Sequence, residues 1–155
     1  MDNNTQQAFF ALVRAGLWEK EVRLLPYGEV DYSEVMRLAQ VQAVVGLVVA
    51  GLEHITDVRV PQVWALQFAG QTIQLEQRNK AMNQFIADLI TKMREADIYT
   101  LLVKGQGIAQ CYERPQWRTS GDVDLLLSVE NFEKAKTFLL PLSTGNKPER
   151  YYSKF

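Results

Sequence analysis

Residues Tyr99 to Leu127 read Tyr-Thr-Leu-Leu-Val-Lys-Gly-Gln-Gly-Ile-Ala-Gln-Cys-Tyr-Glu-Arg-Pro-Gln-Trp-Arg-Thr-Ser-Gly-Asp-Val-Asp-Leu-Leu-Leu, and the rest of the chain is arranged around them. An apolar run from Ile98 to Val103 stops at Lys104-Gly105, and Gly107 keeps the backbone free to turn into a helix. The pattern predicts a strand, a glycine turn, a short helix, a loop and a second strand. That second strand opens with Asp122-Val123-Asp124 and continues into Leu125-Leu126-Leu127.

Each half of the stretch suggests chemistry. Where a strand gives way to a helix, the first-turn N–H groups lack intrahelical partners and the helix dipole is positive, so Gly105 to Gly107 suit a phosphate. Strand side chains alternate between faces, which points Asp122 and Asp124 the same way, with Cα atoms roughly 6 to 7 Å apart. Over that span two carboxylates can share or bridge hard divalent cations. Two-metal phosphoryl transfer places its ions about 3.5 to 4 Å apart, so the spacing suits it. The competing reading of two aspartates at alternate strand positions is a solvent-facing acidic stripe.

The order Lys104-Gly105, short helix, Arg118, then Gly121-Asp122-Val123-Asp124 resembles the nucleotidyltransferase superfamily with the DNA polymerase β-like catalytic fold. In particular it is similar to a bacterial group of largely uncharacterised nucleotidyltransferases, in which a helical region precedes a Lys-Gly turn and a Gly-Asp-(Ile/Val)-Asp-Leu strand. The resemblance is strongest over residues 98–140. It implies an α+β chain: a helical region with a long connecting helix over 1–97, then a nucleotidyltransferase-type β-α-β core over 98–155, expected to be incomplete at its C-terminal end. It also implies that Lys104, Gly105, Gln106 and Arg118 bind a nucleoside triphosphate, while Asp122 and Asp124 are catalytic and hold Mg2+, or Mn2+ in its place. The acceptor of the nucleotidyl group would be a hydroxyl on a small molecule, a protein or RNA.

Two departures from the superfamily pattern bear on this. The phosphate turn is usually Gly-Ser or Gly-Gly, whereas this chain has Gly105-Gln106, so a serine hydroxyl is missing there. A third carboxylate usually lies on a later strand, yet the acids after Asp124 are Glu130, Glu133 and Glu149, none within a clear apolar strand. These departures support an alternative from another class, a non-catalytic interaction or regulatory module with a degenerate transferase core.

The loop Glu113 to Ser120 concentrates Arg114, Trp117 and Arg118. Arg118 can donate bidentate bonds to a phosphate, or can restrain Asp122 or Asp124 in an ion pair. Trp117 can stack on a base or pack the loop onto the body. Lys104 is either a cation beside the phosphate turn or an edge residue whose stem covers apolar surface.

Composition narrows the class. With 155 residues and 47% hydrophobic content the chain can bury a real core. Its net charge of −1 gives no general case for a nucleic-acid-binding face. The one cysteine, Cys111, cannot build an internal disulfide framework and reads as a buried or half-buried structural thiol in a reducing compartment. The start is polar, and the longest apolar run, Val41 to Leu52, falls short of the roughly 20 residues that span a bilayer. A cytoplasmic protein with no membrane partner is expected.

Before the central stretch the pattern is helical. Asn3 to Leu17 carries Phe9, Phe10, Leu12, Val13 and Leu17 at helical spacings. Asp31 with Glu34 three residues later opens a second helix in capping-box fashion, and the Val- and Ala-rich segment to His54 is expected to form two helices breaking near Gln40. His54, the only histidine, is expected to cap helix carbonyls or to lie on the surface. Pro61 begins a long helix over Gln62 to Ala96, about 50 Å at 1.5 Å per residue, joining the two halves. Its polar residues Gln67, Gln71, Gln74, Glu76, Gln77, Arg78, Asn79 and Lys80 read as a solvated face. After the aspartates, Ser128 caps a helix to Leu139, and Gly145 to Phe155 is expected to begin a further strand.

Overall fold

In the computed structural model, which describes residues 3–142, α1 (Asn3–Trp18) is followed by α2 (Tyr32–Val41) and α3 (Val45–Glu53). The long α4 (Gln62–Glu95) leads into β1 (Leu101–Val103), α5 (Gly105–Ala109), β2 (Asp124–Leu126) and α6 (Val129–Leu139), with 3-10 turns at Leu25–Tyr27, Pro115–Trp117 and Leu140–Leu142. Among the described residues the architecture is mostly helical with a two-stranded antiparallel sheet, consistent with α+β. The expected strand over Gly145 to Phe155 lies outside the described residues. Among those described, no helix is long and apolar enough to cross a membrane.

The first core gathers Phe9 and Leu12 of α1, Val35 and Leu38 of α2, Val48 and Val49 of α3 and Phe68 of α4. Helices α1 and α3 approach so closely that a Cβ on Gly16 would run into the Leu47 carbonyl, and one on Gly51 into the carbonyl of Leu12. Of the α1 stripe, Phe10 and Leu17 stay exposed, because the helix has only one neighbour-covered face. The break between α2 and α3 falls at Gln42–Val44, with Ala43 at φ 56°, slightly later than expected.

Asp31 caps α2 by accepting the N–H groups of Ser33 and Glu34 at 2.9 and 3.2 Å. No reciprocal capping box forms, since Glu34 is drawn to the Arg37 guanidinium, with both contacts at 2.7 Å. His54 ends α3, but its ring meets the Glu19 carboxylate at 2.6 Å rather than helix carbonyls. Cys111 is exposed, against expectation, because it lies in the turn after α5 rather than on that helix's buried side.

Helix α4 belongs to both halves of the molecule. Phe68 enters the first core, and 25 residues on, about seven turns at 3.6 residues each, Met93 enters a second one with Ile98 and Ala135. Its buried positions are Phe68, Thr72, Leu75, Asn79, Ile86 and Met93. Spaced by three or four residues or their sums, these form one seam along the helix, and two members of that seam are polar.

The strands are shorter than expected, three residues each. They pair antiparallel, with Leu101 opposite Leu126, Leu102 opposite Leu125 and Val103 opposite Asp124. Ser128 caps α6 by accepting the N–H of Asn131 at 3.3 Å.

Candidate functional site

The strand register positions the site. Because Val103 faces Asp124 at the last rung, the turn leaving β1 and the chain entering β2 lie at the same end of the ladder. Lys104-Gly105 and Asp122-Val123 therefore converge. A Cβ built on Gly105 would stand 3.2 Å from the Asp122 carbonyl oxygen and 3.1 Å from Ser120 Oγ. A Cβ there would be tight against both neighbours, and Gly105 adopts φ 37°, a left-handed value that suits glycine.

Lys104 precedes it at φ 54°, ψ −154°, a conformation sparsely populated by residues with a side chain. Its side chain is exposed. Ser120 Oγ, directed at Gly105, is buried and has no hydrogen-bond partner among the described residues. Ser120 thus reaches this turn from the far side of the loop.

Asp124 is the first residue of β2 and half-buried, whereas Asp122 lies outside the ladder and is exposed. Among the described residues neither carboxylate takes part in an ion pair or a side-chain hydrogen bond, and no cluster of three or more acids, histidines or cysteines is placed to hold a metal. Two uncommitted carboxylate groups are a hard-oxygen donor set. Mg2+ is commonly held by one or two carboxylates with substrate phosphates and water completing its shell, and Asp122 and Asp124 fit that arrangement.

Arg118 makes no ion pair with either aspartate among the described residues. Its guanidinium donates to the Thr119 carbonyl at 3.3 Å and sits 5.9 Å from the centroid of the Tyr112 ring. Arg114 faces the helical half instead. It pairs with Glu53 at 2.8 Å and Glu19 at 3.4 Å and lies 4.4 Å over the Trp117 ring. Trp117 packs against the first core and donates its indole N–H to Glu76, so it fastens the loop to the body.

Gln106 turns into the protein. Its side chain is buried and donates to Asn79 Oδ1 at 2.9 Å, which leaves its backbone N–H as the group at the turn. Asn79, only 1% exposed, in turn donates to the carbonyls of Gln116 and Arg118 at 2.7 and 2.8 Å. Asn79 and Glu76 do not belong to a solvated face. The signal was the helical spacing itself: counting 68, 72, 75, 79, 82, 86 puts Asn79 on the buried seam whatever its polarity.

Lys104, Gly105, Asp122 and Asp124 thus lie at one end of the two-stranded sheet, while the Gln106 side chain and the Arg118 carbonyl are joined through Asn79 to one turn of α4. No curated protein and no solved structure matches the chain. The family described as uncharacterised nucleotidyltransferase matches it over residues 28–151, a span that takes in α2 to α6 and every one of these residues. The chain belongs to that nucleotidyltransferase family.

Proposed function

We propose that the chain binds a nucleoside triphosphate with Mg2+ and transfers its nucleoside monophosphate to a hydroxyl acceptor. The observation that carries this reading is the register that closes the Lys104-Gly105 turn onto the chain entering Asp122 and Asp124. In this reading the turn's backbone N–H groups would meet the phosphates, and the carboxylates of Asp122 and Asp124 a cation.

Asp122 and Asp124 would hold the metal, with Mn2+ able to replace Mg2+. When bound, the metal would supply positive charge to the phosphate oxygens as negative charge builds on them. The backbone N–H groups around Gly105 would orient the phosphates, and Lys104 would add a mobile cation at their edge. Arg118, uncommitted to either aspartate, would be free to turn its guanidinium onto a phosphate oxygen. The acceptor hydroxyl oxygen would bond to the α-phosphorus as the bond from that phosphorus to the leaving pyrophosphate oxygen breaks, the hydroxyl proton passing to solvent. Positioning and electrostatics would supply most of the rate.

Calorimetric titration with ATP, GTP, CTP and UTP, with and without Mg2+, tests the reading beside the Asp122→Asn/Asp124→Asn variant. Metal-dependent binding is expected in the wild-type chain and should be lost in the variant, whose thermal unfolding should stay close to wild type. Binding that survives both substitutions would reject the assignment of the carboxylates. No binding by the wild-type chain would favour a degenerate core serving as an interaction module.

A further inference from the structure

One side chain of α4 is bonded to both halves of the candidate site. Asn79 accepts from Gln106, the second residue of α5, and donates to the carbonyls of Gln116 and Arg118 in the arginine-bearing loop. The two carbonyls fix the amide's orientation: only its NH2 can serve them, so its oxygen is left for Gln106. Three of the four hydrogen-bonding positions of the group are therefore filled, by two segments that are ten residues apart in sequence and otherwise joined by an irregular loop.

The loop is held at the same turn of α4 by a second contact. Glu76, three residues before Asn79, accepts the indole N–H of the intervening Trp117. On the other side Gly46 of α3 lies against the Trp117 backbone, leaving no room for a Cβ. Residues 116 to 118 are clamped between two helices, and the phosphate turn is tied to the same clamp.

We infer that Asn79 is a positioning residue of the nucleotide site: it sets the phosphate turn at Gly105-Gln106 and the backbone carrying Arg118 at a fixed separation from each other. This rests on the nucleotide-binding reading above. Asn79 itself, at 1% exposure, touches no ligand, and its effect passes through Gln106 and Arg118. A buried amide is suited to the task because its fixed donors and acceptor admit one arrangement of both segments, whereas an apolar residue on the same seam would allow several.

The test compares the wild-type chain with Asn79→Leu, close in size but without hydrogen bonds, and with Val35→Ala, a cavity variant in the first core away from the site. Amide hydrogen exchange is read at residues 105–108 and 117–120 in the unliganded chain. The dissociation constant is read for the Mg2+-nucleotide that the wild-type chain binds most tightly. In Asn79→Leu both segments are expected to exchange faster together, and the dissociation constant to rise about tenfold to a hundredfold. Val35→Ala, though destabilised, should move neither quantity.

Gln106→Met removes only the bond to Asn79. It should loosen 105–108 and leave 117–120 near wild type, and it carries the same test if Asn79→Leu does not fold. Unchanged exchange in both variants, or faster exchange with affinity within about twofold of wild type, would overturn the role of Asn79 alone. Failure of the wild-type chain to bind any Mg2+-nucleotide would instead overturn the reading of the site, and this role with it.

Discussion

Lys104 combines a cationic side chain with a backbone conformation that glycine would adopt more easily, φ 54° and ψ −154°. Residues held in such regions cost of order 1–3 kcal/mol, and they cluster where a ligand requires the geometry. Lys104→Gly should therefore raise stability by about 1 kcal/mol while weakening nucleotide binding, since the cation at the phosphate edge is gone. Lys104→Gln should weaken binding as much without the gain in stability, because it keeps the strain. Thermal melts paired with calorimetry on the two variants check this; equal stability of the two would show that the backbone at Lys104 stores no strain. At the same scale, the burial of Asn79 and Gln106 shows how polar side chains become structural once their partners are supplied: each would be costly inside the protein without the other and without the two loop carbonyls.

Among the elements, the short-range glycine contacts do different work. Gly16 and Gly51 let α1 and α3 touch through their backbones, whereas Gly46 receives the backbone of Trp117 from the loop. Adding a methyl group to such a contact forces packed backbone apart and typically costs about 1–3 kcal/mol. Gly16→Ala and Gly46→Ala are thus both expected to lower the midpoint of urea unfolding by a comparable amount. Only Gly46→Ala should also weaken Mg2+-nucleotide binding, because it pushes on the loop that carries Arg118. Equal affinity in the two variants would mean that the site tolerates movement of that loop.

For the whole molecule, α4 ties together two cores of unequal size. Among the described residues, the first collects sixteen buried ones and the second Met93, Ile98 and Ala135 with half-buried neighbours. Around the second, Leu101, Leu126 and Val129 remain exposed, so β1, β2 and α6 bury little apolar area of their own. Local opening should follow this distribution. Native-state hydrogen exchange is expected to show α6 and the β1–β2 pair opening at lower free energy than α1 and α3, with the N-terminal half of α4 following the first core and its C-terminal half the second. Uniform protection across the chain would show that α4 couples the two cores into one cooperative unit.

The local pattern of residues was enough to identify the helices nearly to their ends, the long span of α4, the Asp31 and Ser128 caps, and the strand, turn, helix, strand order that carries Lys104, Gly105, Asp122 and Asp124. These depend on periodicity, capping and glycine placement, which act over a few residues and so are written in neighbouring positions. The family follows from the same motif order. Tertiary structure alone decided which polar groups would be spent on the protein. Asn79 and Glu76 lie among glutamines and charges in sequence, but the first is buried, the second half-buried beside it, and both meet a loop about 40 residues away. Arg114 and Arg118, four residues apart in one loop, were separated by their partners: Glu19, Glu53 and Trp117 engage the first, while among the described residues the second reaches Thr119 and Tyr112. The antiparallel register that brings Gly105 against Ser120 and Asp122 is likewise a pairing between distant segments, set by which rungs meet rather than by either segment's own composition.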